Sequence, residues 1–273
     1  MRILFRIFII GVILSSISQR AECEETPKPA SPAVVQAEVP AHVALLQQAR
    51  KHKEVGDYGK AQPLYDKLLQ DTTVPQAIRQ QVIHEYEEIN FHLLLSRQET
   101  SDSVIHTVVA GDSLYKIAKS GGMTVDLIKR INGLNKDTIY PDMKLKVPKG
   151  EFRLKVDKSE NQIELFFNEK PVKRYAVATG ENNNTPVGEF KIINKLTNPT
   201  WYKAGAVVPP DSPENVLGTR WLGFDIKGYG IHGTTDPESI GKQASAGCIR
   251  MRNQEVEELY SLVPTGTKVV VVD

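Results

Sequence analysis

A cysteine and a histidine lie 16 positions apart near the C-terminus, and their side chains could together carry out acyl transfer. Cys248 supplies a thiol, which attacks carbonyl carbons as the thiolate, and the His232 imidazole could take its proton. Gly247 would let a carbonyl group approach, and the charge of Arg250 favours a thiolate. A lone cysteine is more often a small buried apolar residue, so a purely structural role stays open on these residue types alone.

The segment around these residues resembles the signature of the L,D-transpeptidase (YkuD) catalytic domain. The likeness lies in His232-Gly-Thr and in Ser245-Ala-Gly-Cys-Ile-Arg, and Thr185-Pro-Val-Gly-Glu-Phe resembles an upstream motif of the family. Together these motifs account for residues 151–273. The sequence departs from the family at Ala246, where many members carry a second histidine, so His232 is the only candidate base close to Cys248 in sequence.

The resemblance implies a role for each matching residue. Cys248 would be the acyl-enzyme nucleophile, His232 the general base, and the Gly233 carbonyl the group that orients the imidazole. The backbone N–H groups expected to form an oxyanion hole are those of Ala246, Gly247 and Cys248. The residues expected to contact substrate are Arg250, Ser245 and Thr234. For Arg250, a structural hydrogen bond to the loop is an equal alternative to binding a carboxylate.

The implied reaction is peptidoglycan L,D-transpeptidation, in which the cysteine forms a thioester with an L-residue of a stem peptide and passes it to an amine. Two alternatives stay open: an L,D-carboxypeptidase or endopeptidase that hydrolyses stem peptides, and a non-catalytic envelope protein that binds peptidoglycan. No metal-ligand spacing of cysteine and histidine and no glycine-rich phosphate loop occurs near the site. We therefore expect no cofactor and no metal.

Residues 104–149 predict a small βααβ unit, with strands at 106–109 and 144–148 and two short helices between them. Val109-Ala-Gly-Asp-Ser-Leu-Tyr-Lys-Ile-Ala, Asn132-Gly-Leu and the stretch from Ile139 to Pro148 resemble a LysM module. The resemblance implies binding to glycans that contain N-acetylglucosamine. The residues expected to contact sugar are Gly111, Asp112, Ser113, Leu114 and Ile139. Asp112 could equally be only a turn residue, and Leu114 is expected to be core on at least one side.

Residues 42–100 predict helices, the third of which begins at Pro75. The turn and helix that start at Gly56-Asp-Tyr are similar to one tetratricopeptide unit, which normally needs neighbours to bury its faces. A protein partner bound through this region and a plain helical spacer are equal alternatives.

The N-terminus predicts export. Residues 1–23 carry early arginines and a short apolar run, typical of a signal peptide, although an uncleaved membrane anchor stays open. Residues 24–41 contain four prolines and predict an extended linker. We expect a periplasmic or cell-envelope location, with peptidoglycan glycan strands and stem peptides as partners. The balance of 34 basic and 33 acidic residues gives no reason to expect nucleic-acid binding.

The chain is thus expected to be a multi-domain α+β protein. An all-α helical hairpin and the βααβ LysM unit would precede a catalytic domain at 151–273, where strand patterns separated by turns predict a mostly antiparallel β sandwich or barrel-like body. One helix, from about Gln254 to Leu262 with Asn253 as its N-cap, would hold the catalytic segment against the sheet. Of the two cysteines, Cys23 would be lost with a signal cleaved after it, which would leave Cys248 unpaired.

Overall fold

The computed structural model describes residues 39–203 and 205–273. The predicted signal or anchor at 1–23 and most of the predicted linker at 24–41 lie outside the described residues. Val39 to Asp273 form one compact unit. None of the helices in the described ranges is long and apolar enough to cross a membrane.

Three helices open the described chain: α1 (Ala41–Glu54), α2 (Tyr58–Gln70) and α3 (Gln76–Leu95). They enclose an apolar cluster in which Tyr65, Leu68 and Ile89 are fully buried. The Tyr65 hydroxyl donates to Glu85 at 2.6 Å, and the same carboxylate pairs with Arg50 at 2.6 Å, so these three side chains satisfy one another. Binding of a protein partner through these helices stays a prediction.

The next segment is the βααβ unit, with elements β1 (Ser103–Thr107), α4 (Leu114–Ser120), α5 (Val125–Asn132) and β2 (Lys144–Pro148). Strand β1 begins three residues earlier than the sequence pattern predicts, because Ser103 pairs with Pro148 at the far end of the antiparallel ladder. The hydroxyl oxygens of Ser113 and Thr124 accept backbone N–H groups at the starts of α4 and α5. These caps explain why two such short helices form here.

Residues 151–273 contain twelve strands and one α-helix. The first six strands are β3 (Phe152–Asp157), β4 (Gln162–Phe167), β5 (Lys170–Ala176), β6 (Thr179–Gly180), β7 (Gly188–Thr197) and β8 (Trp201–Lys203). The remaining six strands are β9 (Ala206–Val208), β10 (Arg220–Phe224), β11 (Gly230–His232), β12 (Gln243–Ser245), β13 (Ile249–Arg250) and β14 (Lys268–Val272). Helix α6 (Asn253–Leu262) lies between β13 and β14.

Eight of these strands form one sheet in the order β13-β11-β10-β7-β14-β3-β4-β5. Two neighbouring pairs, β11 with β13 and β3 with β14, are parallel, and the other five pairs are antiparallel. The alternating burial of β3 and β4 places one face of each strand in the core. The α+β class is confirmed, whereas a sandwich or barrel-like closure stays a prediction.

The start of α6 differs from the prediction. Asn253 is the first residue of the helix rather than its N-cap, and the N-cap position is held by Arg252 without a side-chain capping bond. The Asn253 amide oxygen instead accepts the backbone N–H groups of Thr219 and Thr234, each at 3.2 Å. An oxygen engaged in this way is turned away from the orphan N–H groups of its own helix.

The βααβ unit and the catalytic segment share one apolar cluster, which includes Leu127 of α5 and Leu259 of α6. Polar contacts reinforce this junction. The Glu258 carboxylate on α6 binds Arg130 of α5 at 3.1 Å and also pairs with Lys173 of β5, while the Thr124 hydroxyl donates to a carbonyl of α6. Helix α6 therefore contacts both the βααβ unit and the sheet.

Candidate active site

The pairing of β11 with β13 brings the strand that ends at His232 beside the strand that follows Cys248. His232 lies opposite Arg250 in this parallel ladder, and Ile231 lies opposite Ile249. Cys248 directly precedes β13, and Trp221, whose indole stacks on His232, also lines the cleft at Cys248. The Cys248 thiol and the His232 imidazole thus share Trp221 as a neighbour, although 15 residues separate them along the chain.

The orientation of the imidazole is set by the next residue in the chain. Nδ1 of His232 lies 2.6 Å from the carbonyl oxygen of Gly233. A carbonyl can only accept a hydrogen bond, so Nδ1 carries the proton and Nε2 is the nitrogen with a free lone pair. The ring is thus held in the tautomer that can accept a proton at Nε2.

His232 is buried, with 3% of its surface exposed, and the indole of Trp221 stacks on it with ring centroids 5.9 Å apart. This burial lowers the pKa of His232 from 6.5 to about 4, and the charge of Arg250 adds to the effect, against the raising influence of backbone hydrogen bonds at Gly233 and Leu217. The imidazole is therefore neutral at physiological pH and available as a base.

The thiol of Cys248 is partly exposed and forms no disulfide with any residue in the described ranges. It donates a hydrogen bond to the carbonyl oxygen of Gly228 at 3.3 Å. Burial raises the pKa of Cys248, while a backbone hydrogen bond at Gly230 and the charge of Arg250 act in the opposite direction. The resting pair is therefore a neutral thiol beside a neutral imidazole.

The loop before Cys248 is closed by Ser245 and Thr185. The Ser245 hydroxyl donates to the Cys248 carbonyl at 2.5 Å and accepts the Gly247 N–H at 3.0 Å. The Thr185 hydroxyl donates to the Gly247 carbonyl at 2.9 Å and accepts the Gly180 N–H at 2.7 Å. One of the three N–H groups expected to form the oxyanion hole, that of Gly247, is thus already bonded to Ser245.

Gly247 occupies a conformation that suits glycine, with a φ of +135°. A side chain at this position would also meet its surroundings, because a Cβ atom would lie 2.9 Å from Cε1 of Tyr229 and 3.3 Å from the carbonyl oxygen of Asn184. The glycine therefore serves both the turn before Cys248 and the close approach of Tyr229.

The expected substrate-binding residues differ in their surroundings. The backbone of Arg250 exchanges two 2.9 Å hydrogen bonds with Ala178, and its guanidinium forms no hydrogen bond or ion pair with any other described residue. Thr234 is 5% exposed, and its hydroxyl makes hydrogen bonds only within the loop, to the backbone of Asp236. Ser245 is likewise buried and bonded to the loop. Of these three residues, Arg250 has the side chain that is available to a ligand.

Cys248 opens onto a cleft of about 260 Å³. The walls are largely aromatic and aliphatic, and the residues that line the cleft with Cys248 and Gly228 are Leu196, Pro199, Thr200, Trp201, Tyr202, Leu217 and Trp221. Within the described part of the chain, no cluster of three or more histidine, cysteine, aspartate or glutamate side chains could hold a metal ion.

In the βααβ unit, four of the five residues expected to contact glycan lie between β1 and the start of α4, and Ile139 lies between α5 and β2. The Asp112 carboxylate accepts the Val109 N–H at 3.0 Å and lies 2.8 Å from Nε2 of His106. Leu114 is 2% exposed, so sugar could reach only its backbone. Gly111 is exposed, the Ser113 hydroxyl caps α4, and Ile139 packs partly against the core.

Sequence reasoning missed two residues of the site and two exposed aromatic residues. Nothing in the local pattern singles out Trp221, although its alternation on β10 with buried Leu222 places it on the face of His232. The bond from Thr185 to Gly247 depends on the fold, and no local pattern reports it. Tyr115 and Tyr140, each 65% exposed, lie in the βααβ unit and could stack on sugar rings.

Comparison with known proteins agrees with this arrangement. The family model of the L,D-transpeptidase catalytic domain, YkuD, matches residues 151–271, and the model of the LysM domain matches residues 106–148. YqjB of Bacillus subtilis, named as an L,D-transpeptidase, is 44% identical over 43% of this chain and 69% of its own length. YkuD of Bacillus licheniformis, also named as an L,D-transpeptidase, is 33% identical over 61% of this chain and 97% of its own length.

Among solved structures, an L,D-transpeptidase from Mycobacterium smegmatis aligns with 48% of this chain and 64% of its own, at 18% identity and a TM-score of 0.39.

The chain belongs to the YkuD family of L,D-transpeptidases, with a LysM domain before the catalytic domain. These two domains indicate binding to peptidoglycan, and they are typical of a protein of the cell wall or envelope.

Proposed function

We propose that the protein is a peptidoglycan L,D-transpeptidase in which Cys248 forms a thioester with an L-residue of a stem peptide. The observation that supports the proposal is the register of β11 and β13, which pairs His232 with Arg250, two residues after Cys248. Membership in the family supports the reaction class. The thioester and the roles of individual residues are inferred from the geometry.

The first half-reaction begins from the neutral pair. Because the thiol pKa is raised and that of the imidazole is lowered, the thiol keeps its proton until the substrate arrives. As Sγ attacks the carbonyl carbon, Nε2 of His232 takes the proton, and the resulting imidazolium is stabilised at Nδ1 by the Gly233 carbonyl. The tetrahedral oxyanion would be held by the N–H groups of Cys248 and Ala246, while the N–H of Gly247 is engaged by Ser245.

Collapse of this intermediate breaks the peptide bond. The imidazolium returns its proton to the leaving nitrogen, so the D-amino acid departs as an amine and the acyl group stays on sulfur as a thioester. In the second half-reaction an amine attacks the thioester, an amide forms, and the thiol is regenerated. Water in place of the amine would give a carboxylate, which is the carboxypeptidase outcome.

Substrate binding is assigned to the cleft and to Arg250. The guanidinium of Arg250 lies close enough to lower the pKa of both His232 and Cys248, and it forms no ion pair within the described residues. A cation in this position can hold the carboxylate of a stem peptide. The aromatic walls formed by Trp201 and Trp221 would cover the aliphatic parts of the peptide.

The LysM domain would bind the glycan strand and bring the enzyme to its polymer. Gly111 and Asp112 form the turn at which this binding is expected, and Ser113, Leu114 and Ile139 are the other residues expected to take part. Export by residues 1–23 and a place in the periplasm or envelope are part of the same proposal.

The test is to incubate the purified protein with a disaccharide tetrapeptide and to record the intact mass and the products. We expect a covalent adduct that maps to Cys248 and a cross-linked dimer among the products. Cys248→Ala should remove the adduct and leave glycan binding intact. His232→Gln should slow acylation by roughly 100-fold or more, because a general base contributes about that much. His84→Gln, at an exposed position on α3, is the matched control. It should change neither the acylation rate nor glycan binding.

Each alternative corresponds to a different result. Free tripeptide without any dimer would identify a hydrolase. If no adduct forms on Cys248 while glycan binding persists, the protein is a binding protein and the catalytic proposal fails. Loss of glycan binding in Cys248→Ala would contradict the division of labour between the two domains.

A further inference from the structure

The side-chain amide of Asn253 lies between two backbone segments of the catalytic domain. Its oxygen, Oδ1, accepts the N–H groups of Thr219 and Thr234, each at 3.2 Å. Its nitrogen, Nδ2, donates to the carbonyl oxygen of Thr234 at 3.1 Å. One side chain thus ties the start of α6 to the residues that precede β10 and follow β11.

Two glycines provide the space for this amide. A Cβ atom at Gly233 would lie 2.1 Å from Oδ1 of Asn253, and a Cβ atom at Gly218 would lie 2.2 Å from it. Such distances are far below contact, so any side chain at either position would displace the amide. The glycine that follows His232 is therefore required for Asn253 to reach the backbone.

One peptide group connects Asn253 with His232. The carbonyl of Gly233 and the N–H of Thr234 belong to the same planar peptide unit. The carbonyl end accepts Nδ1–H of His232 at 2.6 Å, and the N–H end donates to Oδ1 of Asn253 at 3.2 Å. Because the unit is rigid, a bond that fixes the N–H also fixes the direction of the carbonyl.

We propose that Asn253 is a positioning residue for His232, which holds the Gly233–Thr234 peptide so that Nδ1 keeps its proton and Nε2 stays the acceptor. The inference rests on the proposed role of His232 as the base. Asn253 contacts neither the substrate nor the reacting atoms, and it acts only through this peptide.

A purely structural role would be different. If Asn253 only fastened α6 to the loop, its loss would lower stability and leave the imidazole tautomer unchanged. If it positions the peptide, its loss lets the Gly233 carbonyl turn away, and the tautomer with the proton on Nε2 becomes populated. That tautomer cannot accept the proton of Cys248.

The experiment uses the full chain labelled with ¹⁵N-histidine, and the ring nitrogen signals of His232 are assigned by their loss in His232→Gln. The wild-type signals should report protonation at Nδ1. In Asn253→Ala we expect a mixture of tautomers and acylation slowed roughly 10- to 100-fold, the effect of a small misplacement of a catalytic group. Asn253→Asp keeps both accepted N–H bonds and should restore most of the rate and the wild-type tautomer. Gln254→Ala truncates the exposed neighbouring amide and should behave as wild type.

A folded Asn253→Ala protein with the wild-type tautomer and the acylation rate of Gln254→Ala would overturn the inference. If that variant does not fold, Asn253→Ser takes its place, because the shorter hydroxyl cannot span both N–H groups. The His232 tautomer and the acylation rate of Asn253→Ser then test the inference in the same way. The ring nitrogen signals of His232 test this inference independently of the proposed function. If the wild type forms no acyl-enzyme, the function fails, whereas the shift in ring nitrogen signals still tests the action of Asn253 on His232.

Discussion

The indole of Trp221 lies against the imidazole of His232, with ring centroids 5.9 Å apart and ring planes inclined by 20°. The two residues are direct partners in the β10–β11 ladder. The indole nitrogen donates to Asn194 at 3.1 Å, which fixes the orientation of the ring. Trp221 thus covers the base on one side and lines the Cys248 cleft on the other.

Replacing Trp221 with alanine should raise the pKa of His232. Desolvation is the main cause of its low value of about 4, and removal of the indole admits water to the imidazole, so the pKa should move toward 6.5. An NMR titration of the His232 ring measures this shift. Trp221→Phe keeps an aromatic ring in place and should shift less. An unchanged pKa of His232 in Trp221→Ala would show that other groups exclude water from the imidazole.

Stability should fall on acidification between pH 6.5 and pH 4. In this window the unfolded chain protonates His232, whereas the folded protein keeps it neutral because its pKa is about 4. The unfolded state therefore binds more protons, and the free energy of unfolding decreases as pH falls, by up to about 3 kcal/mol from this residue. Urea unfolding at several pH values measures the trend. His232→Gln should make the free energy of unfolding less dependent on pH in this window. An equal pH dependence in the two proteins would contradict the low pKa of His232.

Gly247→Ala should both destabilise the protein and slow acylation. The variant combines an unfavourable φ of +135° with a Cβ atom 2.9 Å from the Tyr229 ring. Gly266→Ala is the matched control, since its φ of +91° is also unfavourable but no atom lies within 4 Å of the added Cβ. Backbone strain alone should cost about 1–3 kcal/mol in either variant. Urea unfolding and acylation rates should show a larger effect at Gly247; equal effects would mean that the Tyr229 contact relaxes without cost.

Glu258→Gln should weaken the attachment of the LysM domain to α6. Burial alone would raise the pKa of Glu258, but its bonds to Lys173 and Arg130 outweigh burial, and the pKa is lowered. The carboxylate is therefore charged at neutral pH, and loss of its charge should lower the free energy of unfolding by about 1–3 kcal/mol. Glu257→Gln, on the more exposed side of the same helix, should have little effect. Chemical denaturation at pH 7 compares the two, and equal stability would exclude a contribution of Glu258 to the junction.

The local sequence pattern predicted the long elements well. Strand β4 coincides with a stretch of alternating apolar residues, β14 coincides with a continuous run of valines, and helix α3 follows Pro75 as expected. The parallel ladders were not predicted; β14, for example, pairs with β3 more than a hundred residues away, and no local period reports such a partner. Strand β13 contains only two residues, too few to show any period.

Only some residues of the candidate site could be predicted from the sequence, again because local patterns do not report contacts between distant segments. Cys248 and His232 stand out by residue type, so they could be named before the fold was known. Trp221 and Asn253 act through contacts between distant segments, and a tryptophan in a strand or an asparagine at a helix start is ordinary by itself. For Asn253 the capping preference of asparagine at helix starts led to the wrong partner.

Helices α5 and α6 bury apolar side chains in one continuous cluster, in which Ile131 and Leu259 take part. Elements that share a core lose their buried surface together, so the LysM and catalytic domains should unfold in a single cooperative transition. The LysM domain is then part of the enzyme's thermodynamic unit rather than an exchangeable accessory. A LysM domain from another protein could replace it only if its second helix offered α6 the same apolar face and a cation in the place of Arg130.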